Sequence, residues 1–549
     1  MNDATTASLP VTGLAGLKAH WRGDLLSGFL VFLIALPLCL GISMASGFPP
    51  SAGIITAIIG GMVVSRGNGS FITINGPAAG LIVVVYDAVQ SLGEGDAMLG
   101  YRYALAAIVV ASVIQILMGV FKAGRLSSFF PASVVHGMLA AIGIIIMAKQ
   151  IHVMLGVTPE KGSLISTIAQ IPESFANLNL EIAVIGFSGL VILIIWSLLQ
   201  DKTLKMIPAP LVVVLVGMFL GHYFELEHQH IYLLQPDGSY LHSHADSAEV
   251  GPKFLVAISD NFTSSFYFPN FGKFFTLEFW EAVVAIALVG SLESLLSVMA
   301  VDKLDPYKRH SNLNKDLTAV GVGNLIAGSI GGLPMIAEIV RSSANVNNGA
   351  KTQWANFFHG MFLLIFVVFF PHLIHSIPLA ALASLLVFTG FRLASPREFA
   401  NVMGIGKEQL FIFVATIISV IATDLLVGVG IGILVKLTIH LLHGAKLNNL
   451  FKIHFTQTVQ ANGSILIHIQ GAAIFSNFLA LKEALAEIEH GKTLIFEKNE
   501  VTLIDHTVME FFHEFKREYE LQGGRCKFQG LDRHEAYSSH PLAARWIKS

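Results

Sequence analysis

The sequence predicts an all-α membrane protein with many spans, followed by a small soluble α/β domain. Hydrophobic residues make up 54% of the 549 residues and charged residues 13%, and the mean hydropathy is +0.67, which is too apolar for a soluble chain. Apolar runs long enough to cross a bilayer core of about 30 Å recur over residues 24–443, and we expect about 14 of them. Beyond residue 443 the charge content is that of an ordinary soluble domain.

The apolar runs fall into two sets, at residues 24–224 and 279–443. Residues 1–23 lack the basic start and cleavage pattern of a signal peptide, so we expect them to form a cytoplasmic segment before the first span. With both termini in the cytoplasm, the inner loops carry about thirteen basic residues and the outer loops about five, as the positive-inside rule requires. This pattern predicts a membrane domain at 24–444 with cytoplasmic termini.

Two apolar stretches, at residues 71–86 and 330–346, are interrupted near their starts by glycine and proline. In each we expect an extended lead-in to reach Pro77 or Pro334, after which a helix begins inside the membrane. Interrupted segments in corresponding places of two halves are typical of substrate sites at the membrane midplane. Because a helix N-terminus presents unpaired N–H groups and a partial positive charge, two of them aimed at one point predict an anion site.

Small residues surround both interruptions. Gly76, Ala78 and Ala79 lie on the first segment and Ala337 on the second, and they would let a substrate approach the backbone closely. The alternative is that they serve tight helix packing, for which membrane proteins use the same residues.

Three ionisable residues in apolar surroundings require a reason, because a charge near the bilayer centre costs a few kcal/mol or more unless it is paired or hydrated. They are Glu293, Glu338 and Arg341. Glu338 and Arg341 are three residues apart, so they could pair along one helix, and Glu293 could be paired permanently with a basic residue. In the functional interpretation these charges serve the anion site, where burial would raise the pKa of a carboxyl group and a neighbouring cation would lower it.

The C-terminal residues 445–549 are predicted to form a cytoplasmic α/β domain. Residues 464–470 and 493–496 have strand patterns, and residues 477–489 and 508–521 have amphipathic helix patterns that end near glycines. Such alternation over a hundred residues is typical of a small α/β unit.

Several separate motifs resemble one family: GFPPSAG at 47–53, TINGPAA at 73–79 and GNLIAGSIGGLP at 323–334. From about residue 23 to its end, the chain resembles SulP (solute carrier family 26) anion transporters with a C-terminal STAS domain. The resemblance implies a 7+7 inverted repeat of about 14 spans, like uracil permease. It also implies a core domain that slides against a gate domain, and commonly a homodimer.

The resemblance also assigns roles within the site. The stretch around Glu293 is similar to the eighth span of the family, where an acidic residue borders the pocket and binds sodium in some bicarbonate carriers. Ser297 keeps a hydroxyl where a threonine of those carriers helps to hold sodium, and Arg341 matches a basic position of the tenth span. Glu338 departs from the small or hydroxyl-bearing residues of the sodium-coupled carriers, so sodium coupling, proton coupling and uncoupled exchange all stay open.

The first span completes the predicted site. Pro37 could kink that span beside the pocket, and the family places pocket-lining residues just after it. In this chain they are Leu38 and Ile42, which predicts a small pocket with few side-chain donors. The full set of predicted substrate-binding residues is Pro37, Leu38, Ile42, Gly76, Pro77, Ala78, Ala79, Ala337, Glu338, Ile339 and Arg341, with Glu293, Ser297 and Glu338 as coupling residues.

The substrate expected from the resemblance is bicarbonate, because the stretch AEIVR at 337–341 resembles a bacterial subgroup associated with carbonic anhydrases. Sulfate is the second choice and a C4-dicarboxylate the third, since one scaffold carries several anions in this family. A different class, an anion channel or a membrane sensor linked to the STAS domain, is also consistent with the sequence. The predicted location is the bacterial inner membrane.

In the STAS domain, Asp505, His506 and Thr507 match the turn where soluble relatives carry a phosphorylatable serine after the aspartate. His506 occupies the serine position, so Thr507 becomes the regulatory candidate. The alternative is that Asp505 and Thr507 only cap the following helix. We expect the domain to serve dimer contacts and the docking of cytoplasmic partners.

Other function classes are not supported by the sequence. The net charge of −3 argues against nucleic-acid binding, and the sequence contains no nucleophile–base pair or nucleotide-binding glycine loop that would indicate an enzyme. No cofactor is expected beyond Na⁺ or H⁺ as a coupling ion. The histidines of residues 222–244 match no metal motif and predict a polar outer loop.

Overall fold

The computed structural model describes residues 9–124, 130–159, 164–199, 207–231, 249–259, 261–489 and 491–547. The chain divides into two compact units, one of Met1–Gly124 with Ile142–Arg392 and the other of Arg125–Ala141 with Leu393–Ser549. Most of the residues predicted to form the histidine-containing loop lie outside the described ranges.

Helices dominate the chain as far as residue 442. They are α1 (Gly13–Ala45), α2 (Pro50–Ile59), α3 (Ser65–Gly67), α4 (Ile82–Gly93), α5 (Ala97–Val120), α6 (Ala132–Met154), α7 (Leu164–Ala169), α8 (Ile171–Ala176), α9 (Leu180–Leu198), α10 (Ala209–Tyr223), α11 (Leu277–Leu304), α12 (Leu313–Ser329), α13 (Ile339–Asn347), α14 (Trp354–Phe369), α15 (Pro371–His375), α16 (Leu379–Leu393), α17 (Pro396–Ile405), α18 (Lys407–Ala422) and α19 (Leu425–Leu442). A π-turn at Gly60–Val64 joins α2 to α3.

Eight helical segments of the described chain are long and apolar enough to cross a membrane, and three shorter apolar helices, α4, α10 and α14, accompany them. The eight are Gly13–Ala45, Pro50–Gly67, Ala97–Val120, Ala132–Met154, Leu180–Leu198, Leu277–Leu304, Leu379–Ile405 and Leu425–Leu442. The prediction of a mostly helical, polytopic membrane protein is confirmed at this level, and the number of 14 spans stays a prediction.

Two short strands interrupt the helical pattern of the first unit. β1 (Asn75–Pro77) and β4 (Met335–Ala337) pair antiparallel, with Gly76 opposite Ile336. A second small pair, β2 (His230–Ile231) with β3 (Glu249–Val250), lies between α10 and α11. The pairing of β1 with β4 satisfies backbone groups that would otherwise be unpaired inside the membrane.

The two interrupted segments have the same layout. Helix α4 begins at Ile82 and helix α13 at Ile339, in each case five residues after the proline, Pro77 or Pro334. Each helix thus begins after its proline, as expected, but a turn at residues 78–81 separates Pro77 from α4, and strand β4 with Glu338 separates Pro334 from α13. Both helices still begin beside the same strand crossing.

The second unit ends in an α/β domain around a six-stranded sheet. Its strands are β5 (His454–Val459), β6 (Ile465–Ala473), β7 (Thr493–Ile504), β8 (Arg525–Gln529), β9 (His534–Ala536) and β10 (Arg545–Ile547), and its helices are α20 (Leu479–Ala486) and α21 (His506–Leu521). The strand order is β5-β6-β7-β10-β9, with β8 also paired to β7. Inward-facing side chains such as Ile467, Phe496 and Phe512 form its apolar core, so the predicted α/β alternation has a packed structure.

Candidate functional site

The antiparallel crossing of β1 and β4 brings the two interrupted segments together. Polar side chains from other helices complete its backbone hydrogen bonds: the N–H of Ala337 donates to Ser294 Oγ at 3.1 Å, and the N–H of Ile74 donates to Ser342 Oγ at 2.9 Å. Across the crossing, the N–H of Glu338 donates to the carbonyl of Ile74 at 2.8 Å. These bonds explain how extended backbone is held between membrane helices.

The first residue of β4 and the residues before it are held in the same way. Asn324 of α12 accepts the N–H of Met335 and donates to its carbonyl oxygen at 3.1 Å, and it also donates to Gln115 at 2.8 Å. Tyr101 donates its hydroxyl to the carbonyl of Gly331 at 2.8 Å. The lead-in to α13 is therefore fixed by side chains of α5 and α12.

Arg341 lies on the first turn of α13 and is fully buried, at 0% exposure. Within the described part of the chain, its Nε, Nη1 and Nη2 atoms have no hydrogen-bond partner. The guanidinium lies against β1, because a Cβ added to Gly76 would overlap it. A buried, unpaired guanidinium is costly and is a strong attractor for an anion.

Glu338 precedes α13 as its N-cap residue. Its carboxylate faces the backbone N–H of Ala79, on the other interrupted segment. Among the described residues, no hydrogen-bond partner lies near Glu338 Oε1 or the guanidinium nitrogens of Arg341, so these two side chains do not form the hydrogen-bonded pair along the helix that their spacing allows.

Glu293, on α11, reaches the same place from a third direction. Its carboxylate lies at the backbone N–H of Gly80, and a Cβ on Gly80 would overlap the carboxylate group. Ser297 is buried one helical turn further along α11. The two predicted acidic residues thus meet consecutive backbone N–H groups just before α4.

The other predicted residues surround this centre in different ways. Ala78 is buried and donates its N–H to the carbonyl of Pro334 at 3.3 Å, whereas Ile339 is 41% exposed. Pro37 and Ile42 are buried on α1, and Leu38 is half-buried. A small cavity nearby is lined by Leu81, Ser112, Gln115, Gly290, Asn324 and Pro334.

Three buried polar side chains around the β1–β4 crossing were not found by sequence reasoning. Cys39 of α1 lies beside Arg341, and so does His359 of α14, whose ring nitrogens have no hydrogen-bond partner among the described residues. Asn356, also on α14, donates to Asn75 Oδ1 at 3.0 Å. A histidine and an asparagine inside the apolar run of α14 were the available signal, because such residues are rare in membrane spans.

The residues of the predicted phosphorylation turn lie in the second unit. Asp505 is fully buried and caps α21 by accepting the N–H of Val508 at 2.9 Å, and it also accepts the N–H of Phe475 at 3.0 Å. His506 is buried, with Nδ1 2.7 Å from the carbonyl oxygen of Leu542. Thr507 accepts a hydrogen bond from Lys436 at 3.4 Å.

No group of three or more histidine, cysteine or acidic residues in the described ranges has the arrangement of a metal site.

Comparison with known proteins gives the family of this chain. The Sulfate permease family matches residues 21–416. The chain belongs to this family. It is therefore a transmembrane anion transporter and not an enzyme, as the motifs of the two interrupted segments indicated.

Individual relatives carry two substrate names. Putative sulfate transporter YvdB of Bacillus subtilis is 26% identical over 522 residues, which cover 93% of this chain and 92% of the relative. Bicarbonate transporter BicA of Picosynechococcus is 25% identical over 426 residues, which cover 76% of this chain and 70% of the relative. Among solved structures, the transmembrane domain of a cyanobacterium bicarbonate transporter BicA has a TM-score of 0.62 at 23% identity, covering 75% of this chain and 97% of that domain. This last likeness shows that the membrane fold is shared.

Proposed function

We propose that this protein is a secondary active carrier of a small inorganic anion, with bicarbonate as the preferred substrate. The observation that supports this most is Arg341, a fully buried guanidinium at the β1–β4 crossing whose nitrogens have no hydrogen-bond partner in the described chain. An anion beside Arg341 would supply the missing hydrogen bonds and would also face the start of α13.

In this proposal the anion contacts backbone and small side chains of both interrupted segments. The lining consists of Gly76, Pro77, Ala78, Ala79, Ala337, Glu338, Ile339 and Arg341, closed on the α1 side by Pro37, Leu38 and Ile42. A single guanidinium that shares its site with the carboxylate of Glu338 suits a small monovalent anion better than a large or doubly charged one. The name of the relative BicA supports bicarbonate, and the name of YvdB supports sulfate as the alternative.

Transport is proposed to follow an elevator-like mechanism over about 14 spans arranged as two inverted repeats of seven. Glu293 is the proposed coupling residue, because its carboxylate lies at the N–H of Gly80, next to the proposed substrate position. The coupling ion is Na⁺ or H⁺, with Ser297 as a further oxygen ligand for Na⁺, and anion exchange is the remaining mode.

The C-terminal α/β domain, residues 445–549, is proposed to be a STAS domain on the cytoplasmic side of a bacterial inner membrane. Its proposed roles are contacts within a homodimer and docking of cytoplasmic proteins. The burial of Asp505 and His506 favours a structural role for the predicted phosphorylation turn over phosphorylation of it.

The test is uptake of labelled bicarbonate and, separately, of labelled sulfate into liposomes containing the purified protein, with and without a sodium or pH gradient. We expect saturable bicarbonate uptake that a gradient drives and that Glu293→Gln uncouples. Sulfate uptake in its place would overturn the substrate choice. Flux without saturation or trans-stimulation would show a channel.

A further inference from the structure

The turn before α4 presents two backbone N–H groups, and both already face protein carboxylates. The carboxylate of Glu338 faces the N–H of Ala79, and the carboxylate of Glu293 faces the N–H of Gly80. This turn is part of the proposed anion site, so two internal anions occupy positions that suit a substrate anion.

Glu338 is the less expected of the two. As the N-cap of α13 it is placed to cap its own helix, but its side chain makes no such bond within the described structure. The side chain reaches the other interrupted segment. The backbone N–H of Glu338 donates to the carbonyl of Ile74, and its carbonyl accepts a hydrogen bond from Ser342 Oγ at 2.6 Å. The carboxylate can therefore swing away while the backbone hydrogen bonds of Glu338 keep β4 in place.

The charges at the crossing favour the displacement of one carboxylate by an incoming anion. Arg341 is 0% exposed and its nitrogens lack partners among the described residues. With both carboxylates ionised, the three side chains carry a net charge of −1, which opposes the entry of an anion. When the carboxylate of Glu338 moves out of the site, the charge of Arg341 is still neutralised by Glu293. The N–H group of Ala79 then becomes available to bind an incoming anion.

We infer that Glu338 is an internal competitor of the transported anion. In the empty transporter its carboxylate lies at the N–H group of Ala79, and the transported anion displaces it from there. This rests on the proposed function insofar as the anion binds at the crossing. Glu338 thereby lowers the affinity for the anion, because the anion can bind only when the carboxylate of Glu338 has moved away. The carboxylate also speeds release of the anion when it returns to the N–H group of Ala79.

The test compares wild type with Glu338→Gln, which has nearly the same shape but no charge. Binding of bicarbonate, sulfate, chloride and nitrate to the full-length protein in detergent is measured by calorimetry, and counterflow in liposomes gives KM and the maximal rate. Removing the negative charge of Glu338 next to the bound anion, in a site of low dielectric constant, is expected to tighten anion binding by about tenfold or more. The maximal rate is expected to fall together with KM, because release becomes slower.

Glu278→Gln is the matched control, because Glu278 is an exposed acidic residue at the start of α11, the helix that carries Glu293. It removes the same charge from the chain and is expected to leave affinity unchanged. Glu338→Ala provides a second variant in case the glutamine variant does not fold.

The outcomes separate this inference from the proposed function. Tighter binding of whichever anion the wild type binds supports the inference, even if that anion is not bicarbonate. Unchanged or weaker binding in both Glu338 variants overturns it, while normal bicarbonate uptake by the wild type would leave the proposed function standing. An equal gain in Glu278→Gln would also overturn it, since the effect would then be one of overall charge.

Discussion

The ammonium of Lys436 lies 3.5 Å from Asp505 Oδ2, and both side chains are fully buried. Lys436 belongs to α19, a candidate membrane span, and Asp505 caps α21 of the C-terminal domain. His440 Nε2, one turn further along α19, lies 3.8 Å from the same oxygen. The last apolar helix and the C-terminal domain are thus joined by a buried charge pair within one compact unit.

Replacing one partner of this pair is expected to weaken the junction. Lys436→Met leaves the carboxylate of Asp505 without its cation and should destabilise the junction by about 3 kcal/mol. The double variant Lys436→Met with Asp505→Asn should lose less than the two single losses together, because asparagine can still cap α21. Protease resistance of the C-terminal domain in the full-length protein measures this, with exposed Lys446→Met as control. Equal resistance of Lys436→Met and the control would contradict the prediction.

Lys498 gives the C-terminal domain a stability that depends on pH. It is buried on β7 with its ammonium 3.8 Å from the ring centre of Phe512 and 4.1 Å from that of Phe528, and burial lowers its pKa from 10.5 to about 7. Between these values the unfolded chain binds a proton that the folded domain does not, so stability rises with pH across this window, by about 1.4 kcal/mol per unit. Below pH 7 this contribution is constant.

The measurement for Lys498 is thermal unfolding of the full-length protein in detergent from pH 6.5 to 9.5, with proteolysis of the C-terminal domain as readout. Lys498→Met is expected to be more stable than the wild type at pH 7 and to lose the rise. A wild type whose pH profile parallels that of Lys498→Met would show that the amine is not responsible.

Arg341→Lys is expected to lower transport efficiency by roughly tenfold or more, although it keeps the charge. An ammonium is a point donor and does not reproduce the planar fork that binds an oxyanion with two hydrogen bonds. Uptake kinetics check this. Arg309→Lys is the matched control, because Arg309 is a buried arginine that pairs with Asp305 at 2.7 Å and should affect stability more than anion affinity. Equal loss of affinity in both variants would contradict a special role for Arg341.

Gly76→Ala is expected to leave the protein folded and to weaken anion binding. Its new methyl group would overlap the guanidinium of Arg341, and the far end of this flexible side chain can shift where backbone cannot. Size-exclusion behaviour tests folding, and calorimetry tests binding. Gly67→Ala is a suitable control, since the nearest atom to its Cβ would be the Ala319 methyl group at 3.8 Å. Unchanged affinity in Gly76→Ala would place the anion away from Arg341.

The interrupted segments and their acidic and basic residues were accessible from sequence, because glycine, proline and ionisable residues stand out in apolar runs. The pairing of β1 with β4 was not, since it joins residues about 260 positions apart and depends on how the two halves pack. For the same reason the sequence allowed Glu338 to pair with Arg341, whereas the structure directs its carboxylate to Ala79. The neighbours of Arg341 on α1 and α14, Cys39 and His359, became visible only once these helices were packed.

The β1–β4 crossing also has a consequence for biogenesis. Asn75–Pro77 is synthesised and reaches the membrane long before Met335–Ala337 has been made. Until then the backbone groups of β1 lack their partners on β4. Hydrocarbon does not tolerate such groups. During synthesis the first half of the chain therefore has to keep this segment beside water, lipid headgroups or an insertion partner until β4 has been made. A chain that stops before residue 335 would keep the backbone groups of β1 unpaired.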